Sequence, residues 1–135
     1  MEIITWTKSF SVGVKEMDDQ HKKLIAMINR LIEEQHTLTE PETIAELLTG
    51  MTDYALEHFR AEEYLMSEYG YENQARQVKS HEEFIARTMD FMSSTEIGPN
   101  ILSKALLEYL KSWLVGHILN EDMQYKAFFA HKGVS

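Results

Sequence analysis

PETIAELLTGMTDYALEHFRAEEYLMSEYG, residues 41–70, reads as one uninterrupted helix. Pro41 suits a first turn and Gly70 suits the left-handed position just past a helix end. Ile44, Leu47, Leu48, Met51, Ala55, His58, Glu62, Leu65 and Tyr69 recur at steps of three or four, which is one face of a 3.6-residue period. The face is apolar except where it carries His58 and, one turn on, Glu62. An apolar stripe calls for Leu or Ala at position 62, so the carboxylate there is the anomaly of the helix. Glu63, about 100° further round, reads as a solvated neighbour.

The same period extends to both sides. A first helix is expected from about Met17 to Leu38, with Asp18 as its N-cap and the stripe His21, Leu24, Ile25, Ile28, Leu31, Ile32. Thr39 could cap the second. A third is expected from about Glu72 to Ser93, with Val78, His81, Ile85, Thr88 and Met92. A fourth is expected from about Asn100 to Asn120, with Leu102, Leu106, Leu110, Trp113 and His117, and a shorter helical tail to His131. Pro41, Gly70 and the Gly98-Pro99 loop separate them. Four helices of about 20 residues, each about 30 Å long, joined by short loops, predict an all-α, antiparallel up-down-up-down four-helix bundle. Residues 1–16, where Trp6, Phe10, Val12 and Val14 alternate with polar residues and Gly13, read as an extended N-terminal arm. The chain is expected to be one domain, 1–135, with the bundle at 17–120 and a short C-terminal helix in a tail at 121–135.

Composition narrows the function. The 135 residues suit one core, and a net charge of -9 without a Lys/Arg block argues against nucleic acid and anionic membrane. With no cysteine, thiolate metal sites, disulfides and Cys nucleophiles are excluded. No secretory leader and no apolar run of about 20 residues is visible, so a cytoplasmic protein is expected.

His21, His58, His81 and His117 fall one per predicted helix, with Glu62 and Asp122 beside them. Buried without partners, each polar group would cost roughly several kcal/mol, and the carboxylates more. A centre of imidazole and carboxylate donors resolves that cost and suits iron, manganese or zinc. Four histidines and two carboxylates exceed one structural zinc; two metals bridged by the carboxylates fit the count better. His117 and Asp122 are five apart, which on a regular helix turns them about 140° from each other. Either the helix loosens between them, or Asp122 only caps the tail. His36 and His131, near predicted helix ends, are expected at the surface.

In combination and in order, three motifs carry a resemblance. TWTKSFSVGVKEMDDQHKKL leads from a Trp segment through Gly-Val to D-x-Q-H; HFRAEEYLM gives H-x3-E; WLVGHILNEDMQY gives W-L-x2-H-I-x3-D. Over essentially its whole length the chain resembles a bacterial hemerythrin. The resemblance implies a non-haem di-iron centre, carboxylate- and oxo- or hydroxo-bridged, that binds dioxygen reversibly. It assigns His81 and His117 to one iron, His21 and His58 to the other, and Glu62 and Asp122 as bridges. The open position is implied on the iron of His21 and His58. One departure stands out: the family's third helix carries two histidines four apart, and here the earlier is Gln77. Gln77 either offers its amide oxygen as a weaker metal ligand or holds a water on the metal by a hydrogen bond.

Leu24, Ile25, Phe59, Trp113, Leu114 and Ile118 are candidate walls of a dry pocket. Met51, Met66, Met89 and Met92 read as core filler, and Tyr125 as a hydrogen-bonding neighbour of the site. Dioxygen storage, delivery or sensing leads; a sensor would need an attached output domain. The alternative is a di-iron redox enzyme acting on dioxygen, peroxide or nitric oxide through an extra open position at Gln77. With no residue dedicated to acid–base turnover, no enzyme is expected. A bundle in which iron only holds the helices together is the third possibility.

Overall fold

The structure, a computed structural model, describes residues 1–38, 40–94 and 103–135. Its helices are α1 (Lys15–Glu33), α2 (Pro41–Tyr69), α3 (Gln74–Ser94), α4 (Lys104–His117) and α5 (Met123–His131), with a short 3-10 turn at Lys8–Phe10. α1 and α3 each pack against both α2 and α4, so the four long helices close into a ring in which chain neighbours are also spatial neighbours. This is the expected four-helix bundle.

α2 starts and stops where the sequence places it. Gly70 takes the left-handed conformation (φ 70, ψ 43), and the Tyr71 amide returns to the Met66 carbonyl at 3.0 Å, closing the helix end. Other boundaries move. α1 runs from Lys15 to Glu33 rather than from Met17 to Leu38, because the polar run Glu33-Glu34-Gln35-His36 has no apolar face to bury. α3 begins at Gln74, after buried Tyr71. Thr39, the Gly98-Pro99 loop and the start of the expected fourth helix at 100–102 lie outside the described residues.

Asp18 is not the N-cap of α1; Val14 holds that place without a side-chain cap. Asp18 sits inside the first turn and clamps the arm instead. Its Oδ2 accepts from Ser11 Oγ at 2.6 Å and its Oδ1 from the Val12 amide at 2.8 Å. Further out, Asn29 exchanges both hydrogen bonds with the backbone of Ile4, at 2.7 and 2.8 Å. Ile4, Phe10, Val12 and Val14 are thereby buried, and Trp6 stacks on Phe10 under the ammonium of Lys22.

The bundle has two dissimilar halves. The end of α1, the start of α2 and the start of α4 bring together Ile28, Leu31, Ile44, Leu48, Leu106, Leu107 and Leu110, all buried. The opposite half carries every buried polar candidate from the sequence. Met51 and Met66 are core residues and Met92 is half-buried, but Met89 is exposed (56%) and fills no core.

Asp18→Ala removes two bonds to a charged acceptor, each contributing about 1.5–3 kcal/mol. The expected outcome is a fall of about 3–6 kcal/mol in unfolding free energy, with the arm becoming the first site of limited proteolysis. Urea denaturation and mass-mapped cleavage check it.

Candidate metal centre

Every residue named for the site from sequence lies in this half and is buried: His21, His58, Glu62, Gln77, His81, His117 and Asp122 are each 5% exposed or less. His21 comes from the first turns of α1, His58 and Glu62 from α2, Gln77 and His81 from α3, and His117 from the end of α4. The antiparallel order brings these segments to one level.

Asp122 reaches that level through a break in helical regularity. Ile118–Asp122 forms a π-turn between α4 and α5, with the Met123 amide bonded back to the Ile118 carbonyl. The wider turn lets residues five apart share a face, as residues four apart do on an α-helix. His117 Nε2 consequently lies 3.1 Å from Asp122 Oδ1. The loosened-helix reading holds; Asp122 makes no capping hydrogen bond and is fully buried.

The inner atoms converge, and one oxygen of each carboxylate among them is unpartnered among the described residues. Glu62 Oε1 lies 3.2 Å from His58 Nε2 and 3.3 Å from His81 Nε2 but has no hydrogen-bond partner among the described residues. Asp122 Oδ2 lies 3.2 Å from His21 Nε2 and is likewise unpartnered. The Nε2 atoms of His81 and His117 face each other at 3.2 Å. Two donors each about 2.1 Å from one ion, at right angles, lie about 3.0 Å apart. The spacing is that of atoms sharing cations. Two groups of donors gather closely enough to hold a cation each, all within 4.8 Å of one another: Glu62, His81, His117 and Asp122, and His21, His58 and Glu62.

The outer ring nitrogens show why the inner ones are ready. His58 Nδ1 meets the amide oxygen of Gln20, His81 Nδ1 meets Glu63 Oε2 at 2.8 Å, and His117 Nδ1 meets Ser80 Oγ at 3.0 Å. Gln20 Oε1 and Glu63 can only accept, so His58 and His81 each keep a proton on Nδ1, which leaves Nε2 as the nitrogen that can turn a lone pair to a cation. Glu63 is therefore not the solvated neighbour expected from its helical angle: α3 packs over that flank of α2 and brings His81 to it. Gln20, Glu63 and Ser80 are the functional residues missed in the sequence; only the Gln20-His21 adjacency within D-x-Q-H pointed to one of them.

Tyr125, one turn of α5 beyond the π-turn, donates to Glu62 Oε2 at 2.7 Å. Burial and the nearby carboxylates push its phenol well above 10, so it remains a donor. Phe59 stacks on His81 (3.9 Å between centroids) and Trp113 on His117 (4.4 Å). Leu24, Ile25, Phe59, Leu114 and Ile118 are buried and Trp113 is half-buried, as the pocket-wall reading requires. His36 and His131 are exposed. No helix among the described residues is long and apolar enough to cross a membrane.

Residues 12–129 match the family described as the Hemerythrin HHE cation binding domain. The chain belongs to the hemerythrin family. It is 34% identical over 125 residues to a bacteriohemerythrin of Pseudomonas aeruginosa, covering 93% of this chain and 80% of that one. A hemerythrin-like protein of Naegleria gruberi is 31% identical over 121 residues, covering 90% and 89%. A wild-type hemerythrin crystal structure superposes with a TM-score of 0.84 at 28% identity, covering 93% of this chain and 97% of that one. Hemerythrins hold two non-haem irons, bind dioxygen and are not enzymes; this chain is a di-iron oxygen-binding protein. The donor set fits that cofactor, with nitrogen and oxygen atoms only, in two groups, with unpartnered oxygens at their centre.

In the metal-free protein, protons must supply the missing positive charge. Burial works against a charged His21, but the flanking Asp122 and Glu62 outweigh it and hold its pKa up at about 10. Burial also opposes charge on His81, which Glu62 and Glu63 nevertheless raise. A raised His21 stabilises the fold fully below its ordinary 6.5, and that contribution is lost as pH climbs through about 10. Glu62 and Asp122 are held below their ordinary 4.5 and 3.8 despite burial, by the facing histidines, so their contribution is lost only in stronger acid. Urea midpoints of metal-free protein are expected to peak near pH 5–6 and to fall steadily toward pH 10. A flat profile between pH 6 and pH 10 would contradict the proton-for-metal substitution.

Proposed function

We propose that His81 and His117 hold one iron, His21 and His58 the other, that Glu62 and Asp122 are shared between them, and that the protein stores or delivers dioxygen. One observation carries the ligand assignment: the two oxygens of buried Asp122 point opposite ways, Oδ1 to His117 at 3.1 Å and Oδ2 to His21 at 3.2 Å. A carboxylate so placed serves two ions at once. When bound, the iron pair supplies the two electrons that dioxygen takes up and gives back.

The chain's own groups account for reversibility. Gln20, Glu63 and Ser80 fix the imidazoles, so little has to move when a ligand arrives or leaves. Leu24, Ile25, Leu114 and Ile118 keep out water, which would compete for the irons and hasten irreversible oxidation. Tyr125 engages its only proton with Glu62.

Anaerobic iron loading should give two irons per chain by elemental analysis. Dioxygen admitted to the reduced protein should produce a visible absorption that disappears under vacuum. One tightly held zinc without iron uptake would reject the di-iron assignment, and absorption that never reverses would reject carriage. Glu62→Leu should abolish di-iron assembly yet keep the helical circular dichroism, because an apolar group of similar size replaces a buried charge. Unchanged iron content and spectrum in that variant would remove Glu62 from the centre.

A further inference from the structure

We infer that Gln77 is not a metal ligand, and that it leaves on the iron of His81 and His117 a position for a small exogenous polar ligand or anion. The inference rests on the di-iron reading above and concerns the half of the site opposite His21 and His58.

Gln77 stands one turn before His81 on α3 and is 1% exposed. It turns its Nε2 toward the donor set, 3.0 Å from Asp122 Oδ1, the same oxygen that faces His117. An amide nitrogen has no lone pair to give, so the atom at ligand spacing cannot ligate. The acceptor Asp122 Oδ1 fixes this orientation, since the flipped amide would set two oxygens against each other. Gln77 Oε1 is left buried and unpartnered among the described residues. The residue thus offers an unused acceptor and the second hydrogen of Nε2. These suit a small polar molecule beside it, such as water or an anion, and do not suit a closed coordination shell.

The donor count agrees. Each half receives two imidazoles and oxygens from the two shared carboxylates. With one solvent-derived bridge common to both, each iron is one donor short of six. A histidine at position 77 would complete the His81 half; the amide does not. Exchange has room on both outer edges of this half. His81 and Phe59 floor a groove of about 430 Å³ between α2 and α3 that opens beside exposed Met89. His117 and Ser80 border a second cleft of about 300 Å³.

The test is an azide titration of the oxidised, iron-loaded protein, followed by visible absorption and calorimetry, with iron measured on the same samples. Wild type is expected to bind two azides per iron pair, Gln77→His one and Gln77→Ala two. The histidine fills the position, and alanine leaves it open. One azide in wild type with two in Gln77→Ala would mean that the amide oxygen does ligate, and would overturn the inference while leaving the di-iron reading intact. Two azides in a Gln77→His protein that holds two irons would place the second anion elsewhere and overturn it equally. Wild type that retains fewer than two irons would defeat the di-iron reading itself. Should Gln77→His misfold, the comparison of wild type with Gln77→Ala still decides.

Discussion

Two carboxylates at the axis of a helical bundle dominate the energetics of this protein. Glu62 and Asp122 are buried to 1% and 0% exposure, and both are held ionised by the imidazoles facing them. Charge in an apolar interior is tolerable only beside compensating charge and directed dipoles. The histidines, one from each long helix, are the response, and they tie the four helices to a single point. Folding and cofactor binding therefore share their free energy: whatever cation occupies the centre also secures the bundle.

Around that point the chain builds a rigid frame. Hydrogen bonds to Gln20, Glu63 and Ser80 fix which ring nitrogen of three histidines faces inward. The rings of Phe59 and Trp113, laid nearly parallel on His81 and His117 at 6° and 11°, fix their planes. His21 alone has no outer partner, since its Nδ1 is buried and unbonded among the described residues. The frame is thus stiffest on the His81 and His117 side, where Gln77 also stands.

Much of this was legible in the residues. Periodicity gave the four stripes, and Glu62 declared itself by standing where Leu belongs. What periodicity does not contain is the neighbouring helix. Glu63 looks solvated on α2 alone and becomes a partner of His81 only once α3 is packed over it. Gln20, on α1, meets His58, on α2, for the same reason. Met89 was misplaced because a helical stripe widens and drifts, and α3 buries Phe84 and Thr88 while leaving Met89 outside. Helix ends moved where capping chemistry is absent, as at Val14, and stayed where it is strong, as at Gly70.

The π-turn at Ile118–Asp122 shows that part of this site is encoded as a count. The extra residue adds no side chain to the centre; the wide turn absorbs it, so that Asp122 still arrives beside His117. Winding 118–122 as a regular helix, with no residue lost, would leave every side chain of the centre in the sequence and the bundle's composition untouched. It would also turn Asp122 about 100° further round the axis, away from His117, with a different register to all that follows. Tyr125 and Phe129 would be rephased with it, losing together their places against Glu62 and the core. The winding at this point is as much a chemical specification as the identity of any ligand, and a comparison of chains that scores only matched residues would pass over it.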